Sequence, residues 1–136
     1  MSVRGKSFII DAGHGGAFDG TVSGTRKEKV VINMAKILQT KLIGKGATVY
    51  MTRTTDKDFG GKDLDDDVNK RVAYINSNFP SVSEFISVHC NITLASSKYG
   101  PFYQKGKPVS LSFTRALSNR YGTAPHEGDF TVLRVQ

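Results

Sequence analysis

The chain has no tryptophan, only one cysteine and no long apolar run. With Cys90 alone, no disulfide can form within it, so an apolar core has to hold the fold. Nothing approaches the roughly 20 consecutive apolar residues of a membrane helix. The first residues, Met1-Ser2-Val3-Arg4-Gly5-Lys6-Ser7, lack the apolar stretch of a secretory leader. The expectation is synthesis in the cytoplasm, with any work outside it depending on release or delivery by other means. Two phosphate-binding loops are absent as well. A dinucleotide loop would need a glycine where Phe18 follows Gly13 and Gly15, and Gly5-Lys6-Ser7 has no upstream glycine to complete a Walker loop.

What is present fits a single globular domain over residues 1–136. Hydrophobic residues at 38% and charged residues at 23% exclude a disordered chain. The formal net charge of +7 points to an anionic partner. The lysines are scattered and not interleaved with aromatics, so no nucleic-acid partner is expected. Were the chain a basic nucleic-acid binder, its binding would fall steeply with salt and ignore chelators.

Periodicity gives an alternating pattern. Phe8-Ile9-Ile10 reads as a short buried strand ending in a Gly-rich turn. From Glu28, the residues Val31, Met34, Ala35, Leu38 and Leu42 fall at helical spacing, and Gly44 and Gly46 stop the helix. Ala47 to Arg53 reads as a second strand. After a polar loop from Thr54 to Asp63, Leu64, Val68, Val72 and Ile75 mark a second helix. Asp65, Asp66 and Asp67 fall in its first turn, where the dipole favours negative charge; that reading outweighs a cation site. Phe85 to His89 is a third strand, Ser110 to Tyr121 a third helix, and Phe130 to Val135 a last strand-like piece. Such alternation predicts an α/β fold, a mostly parallel sheet flanked by helices.

Chemistry concentrates at strand ends. His14 follows the first strand, His89 ends the third, and Glu28 opens the first helix. In open α/β sheets, sites form at the carboxyl ends of strands, where two strands can deliver both imidazoles to one edge. Two histidines and a carboxylate are a set that zinc accepts, leaving a fourth position for a reactive water. Asp11 has two open readings: a partner that orients a ligand imidazole, or a turn residue at a strand end. Asn91 is either a substrate-facing residue or a simple turn residue. Asn91-Ile92-Thr93 matches a glycosylation sequon, which means little without a leader. Cys90, at a strand end, reads as a small buried hydrophobe rather than a nucleophile.

Ile9-Ile10-Asp11-Ala12-Gly13-His14-Gly15-Gly16, then Gly24 and Glu28, Thr52-Arg53 with Asp56, the helix bearing Leu64, Arg71 and Asn76, and Phe85 to Asn91 form an ordered set. This set resembles the zinc-dependent N-acetylmuramoyl-L-alanine amidases of bacterial cell-wall hydrolases and phage endolysins. The resemblance runs over almost the whole chain, including Ser110 to Leu117 and Val132-Leu133-Arg134. It implies Zn2+ held by His14, Glu28 and His89. It further implies hydrolysis of the amide between N-acetylmuramic acid and L-alanine of peptidoglycan, a bacteriolytic activity at the cell wall.

The same resemblance places the family's general acid/base glutamate in a further strand beyond Gln136. Neither Glu127 nor His126 falls in the matching motif. The expectation is therefore an amidase domain without its last strand, completed by a longer protein or by another chain such as a wall-binding partner. The alternative is a catalytically incomplete module that binds zinc and peptidoglycan without cleaving.

Overall fold

The computed structural model describes residues 2–21, 24, 26–90 and 100–135, with only the backbone at Val109. The chain divides into two compact units, Met1–Ile92 with Val135–Gln136, and Thr93–Arg134.

In the first unit, β1 (Ser7–Ala12) lies between β2 (Thr48–Met51) and β3 (Glu84–Val88). Both pairings are parallel: Ser7 stands opposite Thr48, and Phe8 to Ala12 stand opposite Glu84 to Val88. The central strand is covered on both faces. That position explains why Phe8-Ile9-Ile10 is an unbroken apolar run rather than an alternating one. It also explains why Asp11, carried in the same strand, is buried.

Helix α1 (Lys27–Ile43) packs Val31, Ala35 and Leu42 on Phe8, Ile10, Ala12 and Ala47. Burying an aliphatic side chain of this size contributes about 1.5–3 kcal/mol. Met34, expected on the inner stripe, is 49% exposed; it stands one residue ahead of Ala35, turned away from the line of Val31, Ala35 and Leu42. The helix stops as expected: the Gly44 N–H returns to Thr40 O, and Gly46 takes a left-handed φ of 84°.

Helix α2 (Leu64–Asn78) is capped by Asp63, whose carboxylate accepts from the Asp66 N–H at 2.8 Å. It ends at Phe79, which takes extended backbone as residues before proline do. Its buried line is Asp67, Arg71 and Ile75, whereas Leu64 is 52% exposed. Asp67, 1% exposed, does more than place negative charge in the first turn. Its Oδ1 accepts the Phe59 and Gly61 N–H groups at 2.6 and 3.2 Å, so it anchors the preceding loop.

The second unit holds β4 (Phe102–Gln104), α3 (Pro108–Tyr121) and β5 (His126–Gly128), with β4 and β5 parallel. Pro108 starts α3 in the first turn, where its missing N–H costs nothing. The strand expected over Phe130 to Val135 is instead a 3-10 turn, Thr131–Arg134, closed by the Leu133 N–H on Phe130 O. Strand preference expresses fit to a pleated, partly buried surface, and here β5 has already paired with β4. No helix among the described residues is long and apolar enough to cross a membrane.

Candidate active site

The register of the sheet builds the site. Ala12 and Val88 are the last residues of β1 and β3 and stand opposite each other, and the Gly13 N–H extends the pairing to Val88 O at 2.9 Å. His14 and His89 therefore leave the sheet at one edge. Their ring centroids lie 5.2 Å apart at 63°, so residues far apart in sequence become neighbours. Two glycines make room for the rings. A Cβ on Gly13 would fall 2.5 Å from His89 Cε1, and one on Gly20 would fall 2.5 Å from His14 Nδ1.

Both imidazoles are held toward their neutral form. Part of His89 is open to solvent, yet protein atoms crowd the ring. Its pKa is lowered from 6.5 to about 4, first by desolvation, with the Asp11 carboxylate opposing and the His14, Arg71 and Arg53 charges adding. Desolvation also lowers His14, against the opposing contact to Cys90 O at 3.3 Å from Nε2. A carbonyl only accepts, so that contact is a hydrogen bond in the tautomer protonated at Nε2, which leaves the lone pair on Nδ1. Neutral imidazoles are the form that binds metal. Cys90 contributes this carbonyl, and the residue packs partly buried against the apolar core, in keeping with a small hydrophobe.

Glu28, the second residue of α1, is 1% exposed, and its N–H donates to Asp19 O at 3.2 Å. Both carboxylate oxygens are buried without a hydrogen bond. Arg26 Nε lies 2.6 Å from Oε1, a charge contact lacking hydrogen-bond geometry. Among the described residues, no three His, Cys, Asp or Glu side chains form a group ready to hold a metal ion. The histidines are brought together, while the Glu28 carboxylate lies against Arg26.

Asp11 is not a turn residue. It sits inside β1, opposite Ser87 in register. It accepts from Thr52 Oγ1 and Ser87 Oγ, each at 2.7 Å, and from Arg71 Nη1 at 3.3 and 3.4 Å. Its hydrogen bonds go to these groups rather than to an imidazole, and it reaches His89 only through its charge. Asn91 lies outside the described residues.

Reasoning from residue type assigned no role to two side chains beside the site, although both stand in the ordered set that carries the family resemblance. Arg53 and Arg71 are buried and donate to the backbone around His14: Arg53 to Ala12 O and Gly13 O, Arg71 to Ala12 O and His14 O. A signal existed for Arg71, since Asp67, Arg71 and Ile75 fall four residues apart on one helical face. For Arg53 the signal was its place, beside Thr52 and with Asp56, in the ordered set that carries the family resemblance.

Comparison with known proteins gives the family and the fold. The family model described as N-acetylmuramoyl-L-alanine amidase matches residues 8–129. The "Putative N-acetylmuramoyl-L-alanine amidase YrvJ" of Bacillus subtilis (strain 168) is 44% identical over 57 residues, 40% of this chain and 11% of that protein. The "Probable cell wall amidase LytH" of Staphylococcus aureus is 41% identical over 58 residues, 40% of this chain and 20% of that protein. The matches thus span only a small part of these relatives. The CwlD amidase of Clostridioides difficile, solved in complex with the GerS lipoprotein, superposes with a TM-score of 0.75 at 23% identity, covering 95% of this chain and 76% of that one. The N-acetylmuramoyl-L-alanine amidase AmiC2 of Nostoc punctiforme gives 0.63 at 21%, covering 95% and 72%. At these identities the two structures speak for the fold, an α/β domain with a parallel sheet. The family match runs from within β1 to the residue after β5, and on that ground the chain belongs to the N-acetylmuramoyl-L-alanine amidase family.

Proposed function

We propose that this chain hydrolyses the amide bond between N-acetylmuramic acid and L-alanine in peptidoglycan, acting at the bacterial cell wall, with zinc held by His14, Glu28 and His89. The supporting observation is the pair of neutral imidazoles at one sheet edge, together with a buried carboxylate whose two oxygens have no hydrogen bond. As a donor set these residues fit zinc, although their side chains are not drawn into one group.

Held by His14, Glu28 and His89, zinc would supply polarisation of the scissile carbonyl and a water made acidic, its pKa lowered from 15.7 toward about 7. The chain's own residues prepare the ligands. Desolvation by the surrounding protein atoms holds His14 and His89 toward the neutral form, so their lone pairs are available near neutral pH. Glu28 adds a negative charge that would offset part of a dication's charge. The carboxylate of Asp11 favours positive charge at the His89 ring, which strengthens that ring as a donor. The net charge of +7 suits an anionic wall.

The test is digestion of purified peptidoglycan by the zinc-loaded chain, scoring new L-alanine amino termini against new reducing ends. Amino termini that disappear in His89→Ala would establish the amidase. Zinc uptake at one equivalent with no release of either product would instead make the chain a binding module, the second reading. Reducing ends would show that a different bond is cut.

A further inference from the structure

His14 is the only non-glycine residue among those described with a positive φ, at 59°. Residues bearing a Cβ seldom adopt this left-handed conformation, and those that do are held there by their surroundings. Here the surroundings are two buried guanidinium groups. Arg53 donates from Nε to Ala12 O at 2.8 Å and from Nη2 to Gly13 O at 2.7 Å. Arg71 donates from Nη1 to Ala12 O at 3.1 Å and from Nη2 to His14 O at 2.9 Å. Three consecutive carbonyls, those of Ala12, Gly13 and His14, are thus taken by two planar forks.

Each fork is fixed in turn. Arg71 lies 3.3 Å from Asp11 Oδ1 and 3.8 Å from Asp67 Oδ2, with the Phe59 ring 4.8 Å from its Cζ. Arg53 also reaches Thr55 O at 3.0 Å and Glu28 O at 3.4 Å, which ties the His14 turn to the first turn of α1. Burying two guanidinium groups side by side is a costly way to obtain stability, since apolar residues of similar volume often do as well or better. What arginine supplies and an apolar residue does not is several donors in one fixed plane.

We propose that Arg53 and Arg71 are positioning residues for His14. By holding the carbonyls of Ala12, Gly13 and His14 they keep His14 left-handed and its imidazole turned toward His89. This inference rests on the reading of His14 and His89 as metal ligands only in the purpose it gives the arrangement.

The experiment compares the whole chain with Arg53→Lys and Arg71→Lys, which keep the charge and lose the fork. In metal-free protein, two-dimensional NMR reads the contact between the His14 and His89 rings and the backbone shifts of His14. A chelator competition titration then reads zinc affinity, and the cobalt-loaded forms give an absorption spectrum. The expected result is a cooperatively melting variant in which the ring contact is weakened, the cobalt spectrum changes and zinc affinity falls about tenfold or more. A folded variant with ring contact, spectrum and affinity all unchanged would overturn the proposal. If a variant does not fold, the decision passes to the metal-free parent chain. Slowly exchanging Arg53 and Arg71 side-chain N–H protons, in contact with residues 12–14, support the proposal, and freely averaged ones sink it. A parent chain that takes up no zinc, but whose ring contact still depends on both arginines, removes the metal reading and leaves the positioning role standing.

Discussion

Gly13 lies directly against the His89 ring: a Cβ at position 13 would come within 2.6 Å of Cε1, Nδ1 and Nε2. Gly13 is not among the glycines with positive φ, so alanine is compatible with the backbone there. The whole cost of Gly13→Ala therefore falls on the imidazole, which has to swing away. Overpacking of this kind costs about 1–3 kcal/mol when the neighbours cannot move, and less when a ring at a site edge can. The expected outcome is a melting temperature close to that of the parent, with zinc affinity reduced about tenfold. Calorimetric melting and a zinc titration, run on the same sample, check both halves.

Asp11 gives the opposite behaviour. It is buried in the central strand and holds Thr52, Ser87 and Arg71 at once. Removing it in Asp11→Ala leaves the Arg71 charge without its partner at 3.3 Å. Breaking a buried ion pair from one side typically costs about 3–5 kcal/mol, a large share of a small domain's stability. Urea unfolding should show this loss, with Asp11→Asn retaining more because it keeps acceptor capacity for the hydroxyls. A loss below about 1 kcal/mol in Asp11→Ala would mean that Arg71 finds its counter-charge elsewhere.

The depressed proton affinity of His89 fixes a pH window. In the folded, metal-free chain His89 protonates near pH 4, and the reference value is 6.5. Between these values the unfolded chain binds a proton that the folded chain does not, so stability falls as pH drops through the window. Above 6.5 neither state is charged at this group, and it contributes no slope. The stability difference between the parent and His89→Asn should therefore be flat above about pH 6.5 and shift against the parent on acidification toward pH 4. Denaturant midpoints at several pH values measure it. A difference that stays constant across the window would show that His89 titrates normally.

Much of this was readable from the residues, and the failures have local causes. The unbroken Phe8-Ile9-Ile10 run, helices α1 and α2 and the third strand appear where the pattern put them, although Met34 and Leu64 stand off the buried lines of their helices. Parallel pairing of the first and third strands is what brings His14 and His89 together. The short pair β4 and β5, each three residues long, carries too few positions for alternation to show. Phe130 to Val135 has strand-forming residues but not the strand, because propensity yields to whatever pairing is on offer. The roles of Asp67, Arg53 and Arg71 were hidden for a different reason. A charged side chain reads as solvated until the backbone carbonyls, amides and counter-charge that satisfy it are located, and those lie in distant segments of the chain. The ligand set remains the proposal described above. Asp11 and the two arginines supply a support for it that residue type alone did not show.

Arg26 offers a test of how a cation competes for Glu28. Its Nε stands 2.6 Å from Glu28 Oε1, and its Nη2 reaches Asp56 Oδ2 at 3.1 Å. A metal ion drawing on the same carboxylate has to displace this charge. Arg26 is half exposed while Glu28 is buried, so solvent screens the pair and its worth is no more than about 1 kcal/mol. Arg26→Gln removes the competitor. Zinc affinity is then expected to rise about fivefold, the equivalent of about 1 kcal/mol, while the metal-free chain becomes slightly less stable because a buried carboxylate has lost its counter-charge. The two changes have opposite signs, which separates this explanation from a general loosening of the site, where both would fall. Parallel zinc titrations and metal-free melts of the parent and Arg26→Gln decide it, and an unchanged zinc affinity would mean that Glu28 is not drawn on by the metal.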